Sequence, residues 1–150
     1  MIMAIDPGST VSGVAILSEG KHRFRMALSL RPSKKDPHAI TLGVAALIEF
    51  FKVKKVYIEK SAFMQGSARG HAVAARGDLV TLSIFIGRLV QVVETLGAEA
   101  ILVPVSTWKG QLPKEVANRR VAMKMQIGPK VFNDHELDAL GIGLWAQGRF

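Results

Sequence analysis

A chain of 150 residues that is 49% apolar is expected to form one domain with a substantial core, which excludes a disordered protein. It contains no cysteine, which excludes a disulfide framework, a cysteine-rich zinc site and thiol catalysis, and fits an intracellular setting. Its formal net charge of +8 favours a polyanionic partner, nucleic acid first, with a basic surface that merely aids solubility as the plain alternative.

Ile2 to Asp6 reads as a short buried strand and Val11 to Leu17 as a second, with Gly8 and Ser9 in the turn between them. Asp6, Pro7 and Gly8 interrupt the apolar start before a signal-peptide core could form, and no apolar run is long enough to span a bilayer. Arg23 to Leu30 alternates polar and apolar residues, the pattern of a strand with one wet face, so the first three strands predict an antiparallel meander. A basic loop bracketed by prolines, RPSKKDP, contains Lys34 and Lys35 and precedes a helix over His38 to Lys52, apolar at positions 40, 44, 47, 48 and 51. Lys55 to Glu59 (KVYIE) predicts a buried strand, and SAFMQGSARG a loop.

A long helical pattern follows from about His71 to Leu96, stopped at Gly97. Ala100 to Val105 predicts another strand, ended near Pro104. Pro113 to Met125 predicts a basic helix with proline near its first turn, and Asn133 to Gln147 the last helix. The order β-β-β-α-β-α-β-α-α places the two later strands, each entered by a helical crossover, parallel to the first. The expected fold is α/β: a mixed five-stranded sheet flanked by helices.

Asp6 and Glu59 close strands expected to be parallel neighbours, which would put both acids at one edge of the sheet, where open α/β sheets form crevices. In NDHELDAL, Asp134 and Asp138 are four apart and His135 and Asp138 three apart, so each pair shares a helical face. Asp6 also suits a turn before Pro7, and Glu59 a solvated strand end beside Lys60. Asn133 with Glu136 fits a capping box, and Asp134 suits a helix start. Clustered carboxylates repel one another unless a cation neutralises them, and oxygen ligands suit Mg²⁺ or Mn²⁺. Two such ions about 4 Å apart can clamp the attacking and leaving oxygens of a phosphodiester displacement, and a nearby histidine can orient or deprotonate water or bind a metal.

AIDPGSTVSGVAIL, VYIEK and DHELDALGIGLW, in this order across almost the whole chain, resemble the three acidic motifs of RuvC-type Holliday-junction resolvases. The resemblance implies an RNase H-like fold and Mg²⁺-dependent endonuclease activity, with Mn²⁺ able to substitute. It implies Asp6, Glu59, His135 and Asp138 as catalytic metal ligands, with Asp134 one residue out of register behind His135. VPVSTWKGQLPKE resembles the family's stretch with two functional lysines, which places Lys109 and Lys114 at the matching positions. A lysine near the reacting phosphate stabilises charge developing on its oxygens. Phe63 is the candidate for the aromatic residue at the junction centre, a wedge between unstacked bases or else a hydrophobic loop anchor.

The partners this implies are branched DNA, four-way junctions above all, and a second copy of the chain through the long helix LVTLSIFIGRLVQVV, with neither membrane nor nucleotide cofactor. Arg69, Arg76, Lys114, Arg119 and Arg120 are candidate DNA contacts, with Lys34, Lys35 and Lys124 in support. The compact length resembles phage or plasmid members acting in the cytoplasm of a bacterial host. Three other readings compete. An actin-like ATPase fragment shares the first turn but needs a second domain. A non-catalytic DNA-binding relative lacks part of the acidic set. An RNase H-like nuclease would act on RNA–DNA hybrids.

Overall fold

The computed structural model describes residues 1–8, 10–19, 24–32, 37–60, 78–128 and 131–150. β1 (Ile2–Asp6), β2 (Ser12–Leu17) and β3 (Phe24–Leu30) pair antiparallel in sequence order. After α1 (Pro37–Phe51), β4 (Lys55–Lys60) lies parallel to β1. After α2 (Asp78–Thr95), β5 (Glu99–Pro104) lies parallel to β4. The five strands form one sheet in the order β3-β2-β1-β4-β5, as the mixed-sheet reading predicts. Three helices follow β5 among the described residues: the single turn α3 (Val105–Trp108), α4 (Lys114–Met125) and α5 (Asp134–Ala146).

Strand alternation sorts side chains into two cores. Met3, Ile5, Val14, Ile16, Val56 and Ile58 face α1 and α2, where they meet Ile40, Val44, Ile48, Phe85 and Leu89. Ile2, Ala15 and Leu17 face the other way, onto Ala139, Leu140 and Leu144 of α5, and Ala4 meets Ile142 there. Even positions of β1 and odd positions of β4 therefore share the α5 side, and these include Asp6 and Glu59. Removing one fully buried side chain, such as Leu140→Ala, costs about 2–5 kcal/mol.

The start of α5 is fixed from two sides. Its N-cap Asn133 accepts from the Glu136 N–H at 3.1 Å, and Glu136 accepts from the Asn133 N–H at 3.0 Å, which is the capping box expected from NDHE. Ser29 of β3 donates to the other Glu136 oxygen at 3.0 Å and accepts from Asn133 Nδ2 at 2.7 Å, tying the cap to the sheet. On the sheet, Gly13 lies under the same turn: a Cβ there would collide with the His135 carbonyl. Glycine at this place lets the helix backbone descend onto β2.

The expected elements are all present, with described ends moved by a residue or two except the start of α2, which is described from Asp78. α3 is an addition, because Val105, expected to end a strand, begins a helical turn after Pro104. One turn is too short to carry a helical periodicity. Residues 71–77, expected to begin the long helix, lie outside the described residues.

Candidate active site

The β1–β4 register places Ile5 opposite Ile58, so Asp6 and Glu59 are the next residues on adjacent strands. Asp6 also pairs with Gly13, the residue under the first turn of α5. That turn brings His135 Nδ1 to 2.7 Å from Asp6 Oδ2. Asp138, one turn further along, is as buried as Asp6, each with 9% of its surface exposed. Three acids from β1, β4 and α5 therefore meet at the C-terminal edge of the parallel strands.

Two lysines complete the group. Lys109 Nζ lies 3.7 Å from Asp138 Oδ1, and Lys114 Nζ bridges Asp138 Oδ2 at 3.6 Å and Asp134 Oδ2 at 3.3 Å. Asp134 is exposed and also accepts from Asn118 Nδ2 at 3.2 Å. It belongs to the rim, whereas His135 touches Asp6 directly.

The acids strain against one another. Burial raises the Asp6 pKa, the His135 hydrogen bond partly offsets this, and the Asp138 charge adds to it. Glu59 is pushed up to about 7, first by burial and then by the charge of Asp6, against the opposing hydrogen bond from Trp108. For Lys114, burial disfavours the charge, but Asp138 and Asp134 outweigh it and the pKa is raised.

These features fit a hard divalent cation: the carboxylates are crowded and desolvated, and buried Asp138 Oδ1 lacks a hydrogen-bond partner. Among the described residues, no three acids or histidines form a ready-made cage. Each acid faces a different neighbour instead. Asp6 faces His135, Asp138 faces the lysines, and Glu59 accepts from the Trp108 indole N–H at 2.9 Å. Asp6, Glu59 and Asp138, with His135 beside them, are the groups able to hold such an ion.

The fold is similar to that of known structures. T. thermophilus RuvC in complex with a Holliday junction substrate matches with a TM-score of 0.75 and 20% identity over 95% of this chain and 90% of that one. The fold is that of RuvC. A further Thermus thermophilus RuvC structure matches at TM-score 0.69 and 16% identity, covering 99% of this chain and 96% of that one. The Fowlpox virus resolvase, solved with substrate Holliday junction DNA, matches at TM-score 0.63 and 13% identity over 100% of both chains. No family model and no curated protein matches the sequence. On this RuvC fold the three acidic segments read from the sequence sit on β1, β4 and α5.

The other described candidates are not among these contacts. Arg119 and Arg120 are exposed on α4, where the Arg120 guanidinium lies 5.4 Å from the Phe150 ring centroid, and Lys124 is exposed on the same helix. Phe63, Arg69 and Arg76, as well as Lys34 and Lys35, lie outside the described residues. Sequence reading missed Trp108. Its neighbour Lys109 was singled out, but nothing in residue spacing reveals an indole N–H aimed at Glu59. No helix among the described residues is long and apolar enough to cross a membrane.

Proposed function

We propose that this chain is a metal-dependent, structure-selective endonuclease that resolves four-way DNA junctions by paired, symmetric phosphodiester cleavage. The observation that carries this reading is the convergence of Asp6, Glu59 and Asp138 from three elements, with Lys109 and Lys114 against Asp138. The structural neighbours solved with Holliday junction DNA support the choice of substrate.

In this reading Asp6, Glu59, Asp138 and His135 hold Mg²⁺, with Mn²⁺ able to replace it. The ion supplies electrophilic stabilisation of the scissile phosphate and a more acidic water. The protein's own groups do the rest. Asp6 engages His135 Nδ1, which leaves Nε2 as the ring nitrogen that would hold the ion. Lys109 places a positive charge where charge develops on the phosphate oxygens. Lys114 releases its hold on Asp138 to meet the DNA backbone.

Arg119, Arg120 and Lys124 extend the cationic surface along α4. In this reading Arg69 and Arg76 are further DNA contacts and Phe63 the wedge at the junction centre. A homodimer supplies two sites for two symmetric cuts. It is supported by apolar side chains left exposed on the side of α2 and β5, namely Val80, Ile84 and Leu102.

Cleavage of a labelled four-way junction, with Mg²⁺ and with EDTA, tests the reading beside duplex, forked and RNA–DNA controls. Paired symmetric nicks that need Mg²⁺ are expected. Junction binding without cutting would instead identify a non-catalytic DNA-binding factor, and preferred cutting of the hybrid an RNase H-like nuclease.

A further inference from the structure

We infer that Trp108 is a positioning residue that sets the Glu59 carboxylate for metal binding; this rests on the metal-dependent reading of the site. Trp108 is 3% exposed, and its Nε1–H donates to Glu59 Oε2 at 2.9 Å. It is the residue before Lys109, in the single helical turn that follows β5. The strand end and the turn thus carry the donor across to the neighbouring strand, β4.

Three contacts hold the indole in place. On α5, Gly141 stands where a Cβ would overlap the six-membered ring, so the helix surface is recessed to receive it. Gly141 is three residues beyond Asp138, which couples the seat of the indole to a second acid of the site. The Phe150 ring packs on the indole edge-to-face at a centroid separation of 5.3 Å. The Lys109 ammonium lies 5.5 Å from the indole centroid while it reaches Asp138. Trp108 therefore touches Glu59 directly and reaches Asp138 through Lys109.

The choice of donor has a chemical consequence. An ammonium or guanidinium on Glu59 would fix the carboxylate but compete with a cation for its charge. An indole N–H is neutral and a donor only, so it orients the group and leaves its charge. It also engages one of the two oxygens, Oε2. Outer partners of metal-binding carboxylates act in this way, and their loss typically costs about 10–100-fold in metal affinity.

The test is Mn²⁺ binding, followed by electron paramagnetic resonance of free Mn²⁺, for the full-length protein and for Trp108→Phe, Trp145→Phe and Glu59→Gln. Trp145 stacks edge-on with Tyr57 and controls for loss of a tryptophan. Glu59→Gln should bind far more weakly than the parent. Trp108→Phe should bind about 10–100-fold more weakly with junction affinity unchanged, and Trp145→Phe should match the parent. Parental Mn²⁺ affinity in folded Trp108→Phe, with Glu59→Gln still defective, would overturn the positioning role and leave the metal site standing. No binding by the parent at millimolar Mn²⁺ would remove the metal reading and the inference together. Should Trp108→Phe not fold, the indole N–H resonance of Trp108 in the parent decides. It should move on Glu59→Gln and on addition of Mg²⁺, and a resonance indifferent to both overturns the inference.

Discussion

Asp6 Oδ2 and His135 Nδ1 lie 2.7 Å apart although the two residues are 129 positions apart in the chain. Asp6 is placed by strand pairing. His135 is placed by the capping box of α5 and by the close approach of that helix to Gly13. The contact therefore reports whether α5 is seated correctly on the sheet.

Gly13→Ala should unseat it. A methyl group there meets the His135 carbonyl, and backbone cannot rotate away as a side chain could. The expected result is a destabilisation of about 1–3 kcal/mol and a cleavage rate lower by about 100-fold, as for misplaced catalytic groups. Junction affinity should change little. Thermal melting and single-turnover cleavage at saturating Mg²⁺ check this, and parental turnover would show that the close approach is unimportant.

Glu59 should weaken the metal-free fold. Its pKa rises from 4.5 in its ordinary state to about 7 in the folded protein, so the folded state binds more protons than the unfolded chain. Stability consequently falls as pH rises from about 4.5 to about 7, and the full cost is present above that range. Glu59→Gln keeps an acceptor for Trp108 and removes the charge, so at pH 8 in EDTA it should stabilise the fold by on the order of 2–3 kcal/mol. The gain should vanish near pH 4.5. Melting curves at both pH values measure it, and a variant no more stable than the parent at pH 8 would contradict the electrostatic account.

Asp134 and Asp138 should behave differently despite sharing Lys114. Asp134 is exposed at the rim, whereas Asp138 is buried beside Asp6 and holds both lysines. Asp134→Asn should cut within a few-fold of the parent. Asp138→Asn should lose at least about 1,000-fold, since a carboxylate proposed to hold the ion is removed and Lys109 loses its counter-charge. Side-by-side rates on one junction decide the matter, and equal defects would move Asp134 into the site.

The cationic residues should separate into two classes. Lys109 is largely buried against Asp138, so Lys109→Met should lower the cleavage rate by about 100-fold with near-parental binding. Arg119→Ala and Arg120→Ala, on exposed α4, should weaken binding and each reduce the salt slope by about one. Binding titrations from low to moderate salt distinguish them. A Lys109 defect confined to binding would place that lysine with the backbone contacts.

Short apolar runs made β1, β2 and β4 legible and period-two alternation β3, and the parallel order put Asp6 and Glu59 at one edge of the sheet. The spacing of His135 and Asp138 put both on one face of α5, and NDHE marked its cap. What stayed hidden depends on tertiary approach. α3 is one turn long, so it leaves no periodic trace, and the Trp108 bond to Glu59 joins residues 49 apart in sequence. The collision that requires glycine at position 13 exists only once α5 has docked. The lysine bridges to Asp138 are likewise a product of how α3 and α4 fold back, although the two lysines themselves stand out beside the acidic segments.

The most direct test is Asp6→Asn on a labelled four-way junction, with binding and Mg²⁺-dependent cleavage measured on the same preparation. The variant keeps the shape of Asp6 and removes the charge placed between His135 and Glu59. The account predicts a folded protein with parental junction affinity and no detectable nicks. Normal cutting by Asp6→Asn would contradict it and return Asp6 to the role of a turn residue before Pro7.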